Sequence, residues 1–172
     1  AAADIAVTGE PAFACLRPPG HHANRGSAWG YCVFCNMGIA LLHLKEQRKI
    51  DSAFVLDFDA HTGDGTKDVL SSWKECRILN PYAENREAYI KEIQDFIRDI
   101  PTVDIIGVCA GFDSYQKDVG RKLATFDFYM IGVLMKQFAQ RAASRRRFAI
   151  LEGGYYLPDF GKNVLAFCQG FQ

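Results

Sequence analysis

The chain has no surplus of charge. Its 172 residues carry 20 Lys and Arg against 20 Asp and Glu, a formal net charge of zero. Proteins that hold nucleic acid by its phosphates carry a basic face, so direct nucleic-acid binding is not expected. The basic cluster of Arg141 with Arg145, Arg146 and Arg147 reads as a helix end, where cations complement the macrodipole. Apolar runs are short. None approaches the roughly 20 residues that a helical membrane span needs, so no membrane span is expected. No signal-peptide pattern is visible at the start, which carries no Met. There is one CxxC, Cys32 and Cys35, and no second to complete a four-thiolate zinc site. The six cysteines are scattered, and Cys15, Cys109 and Cys168 sit in apolar runs. Buried free thiols behave this way, which points to a reducing, cytoplasmic setting. Neither GxSxG nor GxxxxGK[ST] occurs, which disfavours serine-hydrolase and P-loop chemistry. With no internal repeat and no low-complexity linker, residues 1–172 read as one domain.

Short apolar runs alternate with helical patterns. "AFACLR", "SAFVLDFD", "VDIIGVCAG" and "RFAILEGG" read as strands. "CNMGIALLHLKEQR", "TKDVLSSW", "NREAYIKEIQDFIRDI", "TFDFYMIGVLMKQFAQRAA" and "GKNVLAFCQGF" read as helices, the fourth with Thr125 as its cap. This alternation predicts an α/β fold, three layers α/β/α around a mainly parallel sheet. In such sheets ligands bind beyond the carboxyl ends of the strands. Those ends carry His21 and His22, then Asp57, Asp59, His61 and Asp64, then Asp113 and Asp118, then Tyr155. Four strand ends thus deliver imidazoles, carboxylates and a phenol to one rim.

The densest stretch is "VLDFDAHTGDG", Val55 to Gly65. Side chains alternate along an extended chain, so Asp57, Asp59 and His61 share a side while the strand continues. Asp59 and His61 suit a cation such as zinc, which in catalytic sites takes three protein ligands and a water. Asp113 and Asp118 are the candidates for the third ligand. Asp57 and Asp64 are left to hold one imidazole each. A histidine held by a carboxylate is a better base with a fixed tautomer.

The motifs "RPPGHHA", "WGYCVFCN", "DFDAHTGDGT", "AGFDSYQKD" and "LEGGYY" together resemble the zinc-dependent histone deacetylase and acetylpolyamine amidohydrolase family. They stand in that family's order along nearly the whole chain. "RPPGHHA" and "LEGGY" look closer to its class II and prokaryotic members. The resemblance implies the arginase/deacetylase fold and hydrolysis of an N-acetyl amide, from acetyl-lysine or an acetylated polyamine. By motif position it implies Asp59, His61 and Asp118 as zinc ligands and His21 and His22 as the tandem histidines. His22 would be the general base and acid. Asp57 would pair with His21, Asp64 with His22, and Tyr155 would donate to the oxyanion. Tyr31 matches a channel aromatic, with Gly30 beside it, and Gly153 is placed against the substrate. A structural potassium ion at main-chain oxygens around Asp57 to His61 is implied as well, and a homo-oligomer is compatible with it.

Several positions depart from the family pattern. Thr62 replaces a second histidine and Val119 a common proline. The stretch from Gly65 to Val103 is short for the family, so its second channel aromatic has no counterpart, and the N-terminal part of the family domain is expected to be missing. Two rival readings follow: a non-catalytic deacetylase-like module that binds metal or acetylated ligand, and a two-metal ureohydrolase, which needs more bridging Asp and His than this chain offers.

Overall fold

The computed structural model describes residues 1–172. Five strands form one parallel sheet: β1 (Ala12–Ala14), β2 (Ala53–Asp57), β3 (Cys76–Leu79), β4 (Ile105–Ala110) and β5 (Arg147–Leu151). Their order across the sheet is β1-β5-β4-β2-β3. The helices are α1 (Ala2–Ala6), α2 (Asn36–Glu46), α3 (Asp64–Leu70), α4 (Arg86–Arg98), α5 (Thr125–Ala142) and α6 (Leu157–Phe171).

The three layers follow from the strand period. Alternate residues of β2 go to opposite faces. Phe54 and Leu56 join Ile106, Val108, Ala149 and Leu151 in a core closed by α4, α5 and α6. Ala53 and Val55 join Ile105, Cys109, Phe148 and Ile150 under α1, α2 and α3. Both faces are covered, so β2, β4 and β5 are buried at every residue and their sequences run apolar without alternation. The arrangement is the α/β/α architecture that the strand–helix alternation predicts.

Differences from the sequence reading lie at the edges. The edge strand β3 includes the exposed Arg77 and shows neither alternation nor an apolar run. α1 has five residues, too few to display a helical period. Thr125 does not cap α5. The helix starts at Thr125 itself, and the Asp127 carboxylate accepts the Ala124 N–H at 2.7 Å. Thr125 Oγ1 instead donates to Asn163 Oδ1 on α6. α6 begins at Leu157, ahead of the expected Gly161, with Pro158 in its first turn, where proline needs no N–H partner. No helix is long and apolar enough to cross a membrane.

The pairing register sets the rim. Asp57 lies beside Cys109, and Ala110 beside Leu151. The segments that follow β2, β4 and β5 therefore emerge together at the carboxyl edge, next to the loop leaving β1.

Candidate active site

The tail of β2 turns as soon as its hydrogen-bond ladder ends at Asp57. Asp59 and His61 are brought together by this turn, with His61 Nδ1 3.0 Å from Asp59 Oδ1. Beyond β4, a single 3-10 turn, Phe112–Ser114, points Asp113 at the same place. Asp113 Oδ2 lies 3.0 Å from His61 Nδ1 but accepts no aligned hydrogen bond and is otherwise a buried, unpartnered oxygen. Ligand atoms of Asp59, His61 and Asp113 all fall within 4.8 Å of one another. Two carboxylate oxygens, one of them unpartnered, and one imidazole nitrogen are a donor set that suits a divalent ion such as zinc.

Asp118, expected as the third ligand, is not among the groups brought together with Asp59 and His61. Its carboxylate is turned away from the cluster. Oδ2 accepts the backbone N–H groups of Tyr155 and Tyr156, each at 2.7 Å, and Oδ1 accepts that of Val119. Asp118 is therefore committed to holding the loop after β5, and Asp113, the other candidate, takes the place beside Asp59 and His61. The reason is the path of the loop: Phe112 N–H bonds Gly153 O at 2.9 Å, which fixes the 3-10 turn against β5 and aims Asp113 inward.

The electrostatics follow from this crowding. Burial, then the charge of Asp59, pushes Asp113 up to about 7. For Asp59, burial acts upward, but the hydrogen bond from His61, the charge of His21 and the Gly153 N–H hold it low. His61 is raised, first by its hydrogen bond to Asp59. Gly153 forms the floor: a Cβ there would sit 2.6 Å from Asp59 Oδ2, and its N–H donates to that oxygen at 2.8 Å.

The loop after β1 brings His21 and His22 alongside. His21 Nδ1 stands 3.0 Å from Asp57 Oδ2, and His22 Nδ1 2.6 Å from Asp64 Oδ1. Their environments separate them. Burial opposes charge on His21, but Asp57, then Asp59 and Glu152, outweigh it and lift the imidazole to about 10. Burial dominates at His22 and lowers it, with the charge of His21 acting the same way, against the Asp64 hydrogen bond. In neutral His22, Nδ1–H donates to Asp64 and Nε2 keeps a free lone pair. The two imidazoles are thus shifted in opposite directions, a split that suits acid and base roles.

His21, His22 and His61 share a pocket of about 350 Å³ with Pro19, Trp29, Gly30, Tyr31, Val119, Gly153 and Tyr155. Tyr155 is 44% exposed, and burial, then Asp113 and Asp59, raises its phenol to about 12. Tyr31 is 79% exposed and stands across the mouth, ring centroids 6.4 Å from Tyr155. Gly30 and Tyr31 both take left-handed backbone, φ 57° and 66°. A Cβ at Gly30 would meet His22 Cδ2 at 2.5 Å, so glycine is required for this approach.

The motif reading gave no role to two groups. Glu152, fully buried, accepts the N–H groups of Gly20 and His21 through Oε2, at 2.7 and 3.1 Å, so it sets the backbone of the histidine pair. Burial pushes it up to about 7. It was legible only as an acidic residue inside an apolar strand end. Trp29 stacks on His22, for which the sequence carries no periodic signal.

Fold and site together define a parallel α/β protein whose strand ends assemble an Asp–His–Asp cluster beside two carboxylate-held imidazoles. The family model described as "Histone deacetylase domain" matches residues 1–100, more than half of the chain, and the chain belongs to that family. It is 27% identical over 187 residues to histone deacetylase 14, chloroplastic, of Arabidopsis thaliana, covering 88% of this chain and 44% of that protein. It is 28% identical over 208 residues to a histone deacetylase-like amidohydrolase of Pseudomonas aeruginosa, covering 96% of this chain and 54% of that one. Among solved structures, the acetylpolyamine aminohydrolase from Burkholderia pseudomallei superimposes with a TM-score of 0.84 at 25% identity, over 99% of this chain and 59% of that one. The fold is thus arginase/deacetylase-like. The chain spans about half the length of the curated relatives it matches.

Proposed function

We propose that this chain carries the site of a zinc-dependent amidohydrolase that removes acetyl groups from acetyl-lysine or acetylated polyamines. The observation that carries the reading is the convergence of Asp59, His61 and Asp113 with the two His–Asp pairs and Tyr155 around one pocket. Asp59, His61 and Asp113 would hold the ion. When bound, such an ion would supply a Lewis acid and lower the pKa of a bound water. His22, neutral and oriented by Asp64, takes the proton of the attacking water. Tyr155 donates its hydroxyl to the oxygen that becomes negative. His22 then returns the proton to the leaving nitrogen as the C–N bond breaks, giving acetate and a free amine. His21, held charged by Asp57, adds positive potential behind the reacting centre. Gly30 and Tyr31 would line the path of the substrate's amine chain, with Gly153 at the floor of the pocket.

The names of the relatives include both histone and acetylpolyamine substrates, and these classes support the breadth of the proposal. The six free thiols, with Cys32, Cys35 and Cys109 buried, support a reducing compartment.

The test is zinc content together with acetate release from acetyl-lysine peptides and acetylpolyamines. Tyr155→Phe and His22→Ala are expected to lower turnover by at least about 100-fold, the scale of oxyanion and general-base contributions. Stoichiometric zinc without acetate release from any acetylated amine would sink the enzyme reading in favour of a binding module.

A further inference from the structure

Trp29 is an anomaly among the large apolar residues. It is 54% exposed, yet its ring stacks on one partner and its N–H is hydrogen-bonded. The indole lies over the His22 imidazole with centroids 3.8 Å apart and planes 29° from parallel. Its Nε1–H donates to Asp64 Oδ2 at 3.1 Å, while Asp64 Oδ1 meets His22 Nδ1 at 2.6 Å. One side chain therefore touches both members of the pair. The Asp64 side chain is 41% exposed. A carboxylate this accessible does not hold one rotamer unaided, and Asn24 Nδ2 at 2.9 Å is its other donor.

We propose that Trp29 is a positioning residue that clamps the His22–Asp64 pair, stacking on the imidazole and donating its indole N–H to the carboxylate. The stack blocks rotation of the His22 ring. The hydrogen bond keeps Asp64 facing Nδ1, so that Nε2 remains the free nitrogen. The inference rests on the reading of His22 as the base, and it adds the residue that orients that base.

Trp29 also lines the pocket, so a plain wall role must be separated from a clamp. A wall contributes uniform binding, and its loss raises KM with kcat intact. Loss of a clamp lowers kcat. Trp29→Ala is expected to reduce kcat about 10- to 100-fold, the usual cost of removing an orienting partner. KM should change less, and Trp29→Phe, which keeps the stack, should recover part of the loss. A second readout needs no turnover. The indole N–H resonance of Trp29, identified by its absence in Trp29→Phe, should shift and exchange faster with water in Asp64→Ala. A resonance unmoved by Asp64→Ala overturns the clamp, as does Trp29→Ala with raised KM and unchanged kcat. His22→Ala separates the two claims: full activity there removes His22 as the base, while the indole resonance still decides whether Trp29 holds the pair.

Discussion

Asp113 and Asp118 share a loop and have opposite commitments. Asp113 presents an unpartnered oxygen to Asp59 and His61, whereas Asp118 spends its carboxylate on three backbone N–H groups. Asp113→Asn is expected to remove most bound zinc, measured by elemental analysis. Asp118→Asn is expected to keep zinc and lose about 10- to 100-fold in kcat, because Tyr155 is no longer anchored. Zinc lost in Asp118→Asn and retained in Asp113→Asn would reverse the assignment. His21 makes a separate prediction for metal-stripped protein. Its folded value is raised, to about 10 from 6.5, so its stabilising charge is complete below pH 6.5. That contribution is lost as pH rises through about 10. Urea unfolding across that window should show a steeper fall for wild type than for His21→Asn. Equal slopes would mean that His21 is not held charged.

The elements that carry these residues are fixed by an aromatic core beneath them. Phe167 on α6 is fully buried and meets Phe13, Phe58, Phe112 and Phe171. Phe58 stands between Asp57 and Asp59, and Phe112 opens the turn that carries Asp113. Phe167→Ala is expected to cost about 3–5 kcal/mol by transfer loss and cavity formation, read by urea unfolding. α4 offers a milder case. Asn85 Oδ1 accepts the Ala88 N–H at 2.8 Å, and Asn85→Ala should cost about 1 kcal/mol with kcat unchanged. A drop in kcat with Asn85→Ala would reveal coupling from α4 to the site that its position does not suggest.

For the molecule as a whole, the proposed metal site would couple ion binding to folding. Buried Asp59 and Asp113 crowd like charges that a divalent ion would relieve. Chelation should therefore lower the melting temperature as well as turnover, and added zinc should restore both. Zinc at about 100 times its dissociation constant corresponds to about 2.7 kcal/mol of added stability. A melting temperature indifferent to chelator and zinc would show that these carboxylates are not a metal site.

The strands and the broad site were legible in sequence because they rest on local rules. Continuous apolar runs marked β2, β4 and β5, since strands buried on both faces need no polar side. The dense acidic and imidazole run named Asp59 and His61, although the turn after Asp57 rather than strand alternation brings them together, and the strand ends named His21, His22, Asp57, Asp64 and Tyr155. β3 and α1 lacked any such pattern. The choice between Asp113 and Asp118 was not local either. It depends on the Phe112–Gly153 hydrogen bond, which joins segments distant in the chain and sets the direction of the turn. The same holds for Glu152 beneath the histidines and for Trp29 across His22. Residue type and spacing determine which chemical groups reach the carboxyl edge of the sheet. Which carboxylate faces Asp59 and His61, and which side chain stacks on His22, is decided when β4 and β5 pair and their loops must share one space.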